Sequence, residues 1–491
     1  MATQTNLPFS WNEVDRISDL RRLELVLDAL PDGDIIRALR AVRKNGRNEY
    51  PVSAMWRSLI AGIVFQHESI ESLIRELNRN SSLLALCGFS PVPMQSHSRY
   101  VIEPGKNGCG AKVRVINPPL RSPAPGSSNF SRFLSNVAEL EKEQGLVSKM
   151  IDDMREELMR LCPDFGENLG YDGKAVSSNS TGRRNRGTGR TSDPDADWGK
   201  HEIRGVDSGS GKIWKKIKLW FGYELHIIAE TKYEIPVAFS VTRASVSEVK
   251  ELDRMTDALF ARAPELAGRC RYFSADRGLD SAALKKKFWD GYRIRPVIDI
   301  RELWKEEKQN QNYVPGQRVM RPLGSVHDNI FYTEKAEVWC RCPVSGEERK
   351  MAFWGSEEKR GDLKYRCPAA AFGLRCKGWK KCHRDADWVT NGYGRVVRVQ
   401  LERDRRIFTP TPCGSPSWKQ AYRRRNSIER INSRIDNSFG FERHFIRGKA
   451  KMTVRVGLAV AVMMALAVGH IKAGRPEKMR SLVSGCWSRA G

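Results

Sequence analysis

The sequence predicts an α/β protein: a mixed sheet flanked by helices, preceded by an all-helical N-terminal domain and interrupted by a cysteine-rich, β-containing insertion before the last helices. Three observations carry this reading. Apolar residues recur at helical spacing through residues 11–90. Between 168 and 300 three strands come first, and helices then alternate with strands, which is the pattern of a mixed sheet covered by helices. Residues 301–410 break that rhythm with short strands around clustered cysteines.

In the N-terminal part, Leu20, Leu23, Leu25, Leu27 and Leu30 share one amphipathic stretch. Pro51 precedes a helix over Val52–Phe65, and Ile70, Leu73, Ile74 and Leu77 mark another within His67–Leu86. Small basic helical units of this kind serve either duplex DNA binding or dimerisation. Residues 91–128 are rich in proline and glycine and read as a loop or insertion. Helices resume over Ser127–Glu143, with Ser128 or Asn129 as N-cap, and over Lys149–Leu161.

The core begins with a strand at Leu169–Val176 that carries Asp172. Ser177–Asp195 is a polar loop with a basic run at Arg183, Arg184, Arg186 and Arg190. The β-branched and aromatic segments Ile213–Leu225, His226–Ala229 and Ile235–Val241 form a strand pair around Glu230–Glu234. Ser245–Phe260 is a helix with Ser245 or Ser247 capping it, Arg271–Asp276 a short strand ending in an acid, Ser281–Trp289 a helix and Arg295–Ile300 a strand. Short strands follow at Gln317–Pro322, Ile330–Tyr332, Glu337–Trp339 and Val396–Gln400. From Gln420 the chain is helical again, ending in an apolar helix over Val454–Ile471. The domain boundaries that follow are 1–90, 91–165, 166–300, 301–415 and 416–480.

The 491 residues include 84 Lys plus Arg against 58 Asp plus Glu, a net charge of +26. The excess is spread along the chain, so the folded domains themselves are basic and nucleic acid is the leading partner. The N-terminus lacks a basic segment followed by an apolar run, so no signal peptide is expected. Val456–Gly469, the longest apolar stretch, is shorter than the roughly 20 residues of a membrane span and suits a buried helix. The expected compartment is the cytoplasm, where the 11 cysteines stay reduced.

Three acids stand out. Asp172 precedes Gly-Lys, Asp276 closes Tyr-Phe-Ser-Ala, and Glu429 lies among Arg423, Arg424, Arg425, Arg430 and Arg434. Tyr422, Arg425 and Glu429 are spaced i, i+3, i+7, which places them on one helical face. Asp280 competes with Asp276 but suits the N-cap of the next helix, and Glu442 is a weaker rival to Glu429.

The three acids, in this order and in these surroundings, resemble the DDE transposases of bacterial insertion sequences, whose catalytic core is RNase H-like. Phe221-Gly-Tyr-Glu-Leu-His226 is similar to a Gly-Tyr-Lys-Leu-His strand of that family, with Glu224 at the Lys position. Tyr422-x2-Arg425-x3-Glu429 is similar to the Tyr-x2-Arg-x3-Glu-x6-Lys signature of one large branch, but Asp436 stands where the Lys is expected. Residues 30–90 resemble the family's helical N-terminal domain, and Gly126–Phe133 the segment joining it to the core.

The resemblance implies a metal-dependent enzyme acting on double-stranded DNA, both transposon ends and target. It implies two Mg²⁺ or Mn²⁺ ions held by Asp172, Asp276 and Glu429, with Asp172 bridging. Tyr422 and the neighbouring arginines are then DNA contacts, and a homodimer on DNA is expected, in a bacterial cytoplasm close to the nucleoid. Two alternatives stand beside it: a non-catalytic DNA-binding regulator derived from such an enzyme, and a nuclease of the same fold.

Cys340, Cys342, Cys367, Cys376 and Cys382 are candidate ligands of a structural zinc, with His383 adjoining; the alternative is a set of reduced, partly buried thiols. Lys359, Arg360, Lys364, Arg366, Lys377, Lys380 and Lys381 around Trp379 make this insertion either a DNA-gripping surface or a solvated basic face.

Overall fold

A computed structural model describes residues 19–43, 50–90, 94–95, 100–103, 111–114, 120–183, 191–206, 213–304, 318–324, 328–382, 394–441 and 443–481. Arg184, Arg186, Arg190, His383 and Glu442 lie outside the described residues. The N-terminal part is helical as expected: α1 (Asp19–Ala29), α2 (Gly33–Arg43), α3 (Val52–Val64), α4 (Ile70–Arg79) and α5 (Ser81–Cys87). α3 is buried on nearly every side, whereas α4 buries only Leu73 and Leu77 of its apolar stripe. The stretch read as a loop holds two short antiparallel strand pairs, Met94–Gln95 with Leu120–Arg121 and Tyr100–Glu103 with Ala111–Arg114.

Two helices, α6 (Ser127–Gln144) and α7 (Leu146–Leu161), lead to the sheet. Gly126 caps α6 in an extended conformation without a side-chain bond, so neither Ser128 nor Asn129 is the N-cap. The break between α6 and α7 is Gly145 at φ 62°, a left-handed turn that glycine adopts without a Cβ clash.

The core strands are β1 (Asn168–Ser177), β2 (Asp197–Val206), β3 (Ile213–Glu230), β4 (Ile235–Arg243), β5 (Tyr272–Ala275) and β6 (Arg295–Ile298). β2 emerges from a segment the sequence had left without an element. The sheet runs β6–β5–β1–β3–β2, with β4 also paired to β3. β1, β5 and β6 are parallel, and β3 is antiparallel to β1, β2 and β4. Pro296 is tolerated because β6 lies at the sheet edge. Helix α8 (Glu248–Arg262) follows β4, with Ser247 at the N-cap position. α10 (Ala282–Lys286) follows β5, after the short α9 (Pro264–Arg269).

The insertion builds its own core from two small antiparallel sheets, centred on Ile330, Val338, Leu363, Tyr365, Val397 and Phe408. After it come α11 (Pro416–Arg423), α12 (Asn426–Ser433) and α13 (Lys449–Lys472).

α13 is the centre of the molecule and packs on α1, α3, α6, α7 and β4. It is the one helix among the described residues long and apolar enough to cross a membrane, and 89% of its apolar window is buried inside the fold. Gly457 permits its close approach: a Cβ there would lie 2.7 Å from Val147 Cγ1 and 3.0 Å from Phe239 Cζ. Its start is pinned by two loop acids. Asp193 accepts from Gly448 N at 3.1 Å, and Asp195 from Lys449 N at 3.1 Å.

Candidate active site

β1 and β5 pair Asn168 with Tyr272, Leu169 with Phe273 and Gly170 with Ser274. The register offset of 104 equals the separation of Asp172 and Asp276. Continued two residues, the two acids come side by side where β5 ends. Asp172 lies within β1, while Asp276 sits just past β5 and is exposed, its carbonyl accepting from Leu279 N at 2.9 Å.

α12 lies across β1. Gly170 makes this possible, since a Cβ there would meet Ile428 Cδ1 at 2.5 Å and Ser274 Oγ at 2.7 Å. The helix therefore brings Glu429 and Asn432 over the strand. Asn432 Nδ2 donates to Asp172 Oδ2 at 2.8 Å, and its Oδ1 is buried without a partner.

Tyr422, Arg425 and Glu429 do not lie on one continuous helix. α11 ends at Arg423 and α12 starts at Asn426, with i→i−3 bonds pinching the chain at Arg424 and Arg425. Arg425 Nη2 bridges Glu429 Oε1 at 2.7 Å, and the Glu429 side chain is 56% exposed. Tyr422 stacks on Trp418 with centroids 4.5 Å apart.

Burial pushes the Asp172 carboxyl up to about 6; Arg425 opposes this, while the charges of Glu248, Asp276 and Glu429 add to it. Arg425 feels the same acids. Burial pushes it down, but Tyr422, Asp276, Glu429 and Asp172 outweigh that and its pKa is raised. The guanidinium thus serves as counter-cation of the acid cluster. Among the described residues no three His, Cys, Asp or Glu side chains are drawn together tightly enough to hold a metal ion.

The structure gives several other arginines partners inside the protein. Arg430 and Arg434 both bridge Glu234, at 2.6 and 3.2 Å, and Arg480 joins them. Arg424 donates to Asn168 Oδ1. Arg423 is exposed. The ring of arginines around Glu429 that the sequence suggested is in fact two clusters, one at Arg425 and one at Glu234.

Asp280 is not an N-cap: Ser281 caps α10, accepting from Leu284 N. Asp280 is buried and bonds Lys285 Nζ at 2.7 Å, Arg406 Nη2 at 2.7 Å and Arg301 N at 3.0 Å. Its role is to tie the end of β5 to the insertion, which separates it from Asp276.

Sequence reasoning missed three partners. Glu224, at the motif position where Lys was expected, is buried and hydrogen-bonded to Glu248; burial first, then Glu248 and Asp172, push it up to about 8. Gly173 makes room for this pair, since a Cβ there would lie 3.1 Å from Glu224 Oε1 and 3.1 Å from Glu248 Cδ. Lys174 Nζ bridges Asp436, with both side chains largely buried. A lysine two residues after Asp172 on β1 thus meets the acid that replaces the signature Lys. The Asp-Gly-Lys run at 172–174 was the available signal for it. His226 of the same motif is held neutral by burial, at about 4, and links Tyr171 to Thr242. Its role is to join β1, β3 and β4.

Residues 180–465 match the profile of the transposase DDE domain, a span of more than half the chain. The chain belongs to this family. Asp276 and Glu429 fall inside the match and Asp172 eight residues before it. Residues 12–100 match a second profile, a transposase domain (DUF772). No curated protein sequence matches the chain. Among solved structures, the piggyBac transposase synaptic complex with hairpin DNA is similar at 12% identity and a TM-score of 0.35, over 95% of this chain and 79% of that one. The family's chemistry is DNA cleavage and transesterification with divalent metal ions, and this transposase is an enzyme of that class.

Proposed function

We propose that this transposase binds the terminal inverted repeats of an insertion sequence and carries out metal-dependent DNA cleavage and strand transfer, with Asp172, Asp276 and Glu429 as its metal-binding acids. The observation that carries the reading is the β1–β5 register, which supports Asp172 and Asp276 as neighbours beneath the helix that bears Glu429. The raised Asp172 carboxyl supports it too, because burial first, and then the charges of Glu248, Asp276 and Glu429, disfavour the bare carboxylate, which a cation relieves.

The donor set is all oxygen, which suits Mg²⁺ or Mn²⁺, and Asp172, Asp276 and Glu429 are the residues that would hold two such ions. Bound there, they would supply Lewis-acid stabilisation to the attacking and leaving oxygens of a phosphodiester.

The protein's own groups do the rest. Asn432 orients Asp172 through its 2.8 Å bond. Arg425, released from Glu429, is a cation beside the acids and is placed for the scissile phosphate. Tyr422, stacked on Trp418, borders it. Exposed Arg423 reaches the DNA backbone, and Arg424, Arg430 and Arg434 hold the segment that presents these groups. In the first step water attacks the phosphate at the element's end and frees a 3′-hydroxyl. In the second that hydroxyl attacks target DNA. The N-terminal helices serve DNA binding or dimerisation, the basic insertion grips DNA, and a homodimer brings two ends together in the bacterial cytoplasm.

Terminal-repeat DNA incubated with Mg²⁺ tests this. Wild type should cut and join, and Asp172→Asn, Asp276→Asn and Glu429→Gln should each bind the repeat without cutting. Cleavage by any of the three at the wild-type rate removes that acid from the site. Binding without cutting by wild type marks a regulator, and cutting without joining a nuclease.

A further inference from the structure

Cys340, Cys342, Cys367, Cys376 and Cys382 arrive from separate segments and line one cavity of about 30 Å³, the size of a single water. Cys340 lies in the strand Val338–Arg341 and Cys342 follows its end, and both line the cavity. Cys367 leaves the strand Asp362–Arg366 and opens the short helix Pro368–Phe372. Cys376 precedes the turn into the helix Trp379–Cys382, and Cys382 ends that helix. None of the five is in a disulfide.

The polar groups at Cys342 are arranged for sulfur that carries charge. Ser345 N donates to Cys342 Sγ at 3.4 Å, and the backbone N–H groups of Val344 and Gly378 also point at it. Asn329 Nδ2 donates to Cys382 Sγ at 3.6 Å, and Cys376 and Cys342 are hydrogen-bonded to each other. A neutral thiol is a weak acceptor, and several N–H donors converging on one sulfur are the outer shell of a metal-bound thiolate. Gly378 is needed for the approach: a Cβ there would lie 2.8 Å from Cys342 Sγ and 2.8 Å from Pro343 Cδ. Arg341, Arg349 and Arg395 line the same cavity with Glu347; Arg349 bridges Glu347 and Arg341 bridges Glu348.

We propose that four of these five cysteines bind one structural zinc ion, which closes the insertion around its two small sheets. Four sulfurs around one small cavity suit tetrahedral Zn²⁺. Among the described residues no three of these sulfurs are drawn together tightly enough to hold an ion. Each thiol turns about one bond, so zinc binding draws the side chains inward. The insertion needs such a clamp because its own core is small and its connections are long.

The test is metal content, which is independent of DNA cleavage. Full-length protein, purified under reducing conditions without chelator, should contain one zinc per chain by elemental analysis. Cobalt(II) added to protein stripped of metal should give the thiolate charge-transfer and d–d bands of a tetrahedral sulfur site. Cys376→Ser with Cys382→Ser should lose both signals, while Cys413→Ser should keep them. Protein that takes up neither zinc nor cobalt, a visible iron chromophore in place of zinc, or full zinc retention in the double variant would overturn the proposal. Should the double variant fail to fold, the wild-type cobalt spectrum and the release of thiols to a thiol reagent only after chelation decide the matter.

Discussion

Asp276 and Asp280 compete in the sequence for one role, and the structure separates them by a measurable difference. Asp280 has no exposed side-chain surface and Lys285 has 2%, and Arg406 and Arg301 N complete the cluster. Asp280→Asn keeps the shape but leaves Lys285 buried beside no counter-charge. Breaking a buried pair in this way costs about 3–5 kcal/mol. Asp276→Asn removes an exposed carboxylate, so its stability change should stay within about 0.5 kcal/mol.

The assay is urea unfolding of both variants, run beside cleavage of repeat DNA. Asp280→Asn should unfold at clearly lower urea, and Asp276→Asn should unfold like wild type while failing to cut. The pH dependence sharpens the test. Burial pushes Asp280 up, but Lys285, Arg406 and Arg301 N overcome it, and its carboxyl lies below the ordinary value. Its contribution is therefore present above about pH 4 and is lost as pH falls through the folded pKa, and Asp280→Asn should flatten that acid limb. Equal destabilisation by the two variants, or a stable Asp280→Asn that cannot cleave, would refute the assignment.

Three further outcomes follow from the site. Glu224 is raised to about 8, so its protonated form is favoured by folding; stability should fall as pH rises from about 4.5 through 8, and Glu224→Gln should remove that slope in urea midpoints at pH 6 and 9. Gly170→Ala should cost about 1–3 kcal/mol by overpacking against Ile428, and because α12 must shift, cleavage should drop more than repeat binding, as gel shift and cleavage on one preparation will show. Lys174→Ala and Asp436→Ala should show a coupling of roughly 0.5–3 kcal/mol in a double-mutant cycle of unfolding, and Lys174→Asp with Asp436→Lys should recover part of the loss.

Much of this was legible in the sequence because it depends on local order. Apolar periodicity marked the helices, and β-branched and aromatic runs marked β3 and β4. β2 was missed because its sequence is polar and charged, and pairing with β3 rather than propensity makes it a strand. The 104-residue separation of Asp172 and Asp276 was in the sequence from the start, but its meaning as a register offset needed the sheet.

The sequence by itself determined the chemistry at hand: two acids on or beside strands, a third on an Arg-rich segment, a basic composition and clustered cysteines. Tertiary structure decided which charges meet. It assigned Arg425 to Glu429, and Arg430 and Arg434 to Glu234. It buried Asp280 with Lys285, set Glu224 against Glu248, and brought Lys174 to Asp436 across 262 residues. The reason is physical: helical and strand periodicity is written in neighbouring residues, whereas the partner of a charge depends on which distant element packs over it and how far water is excluded there.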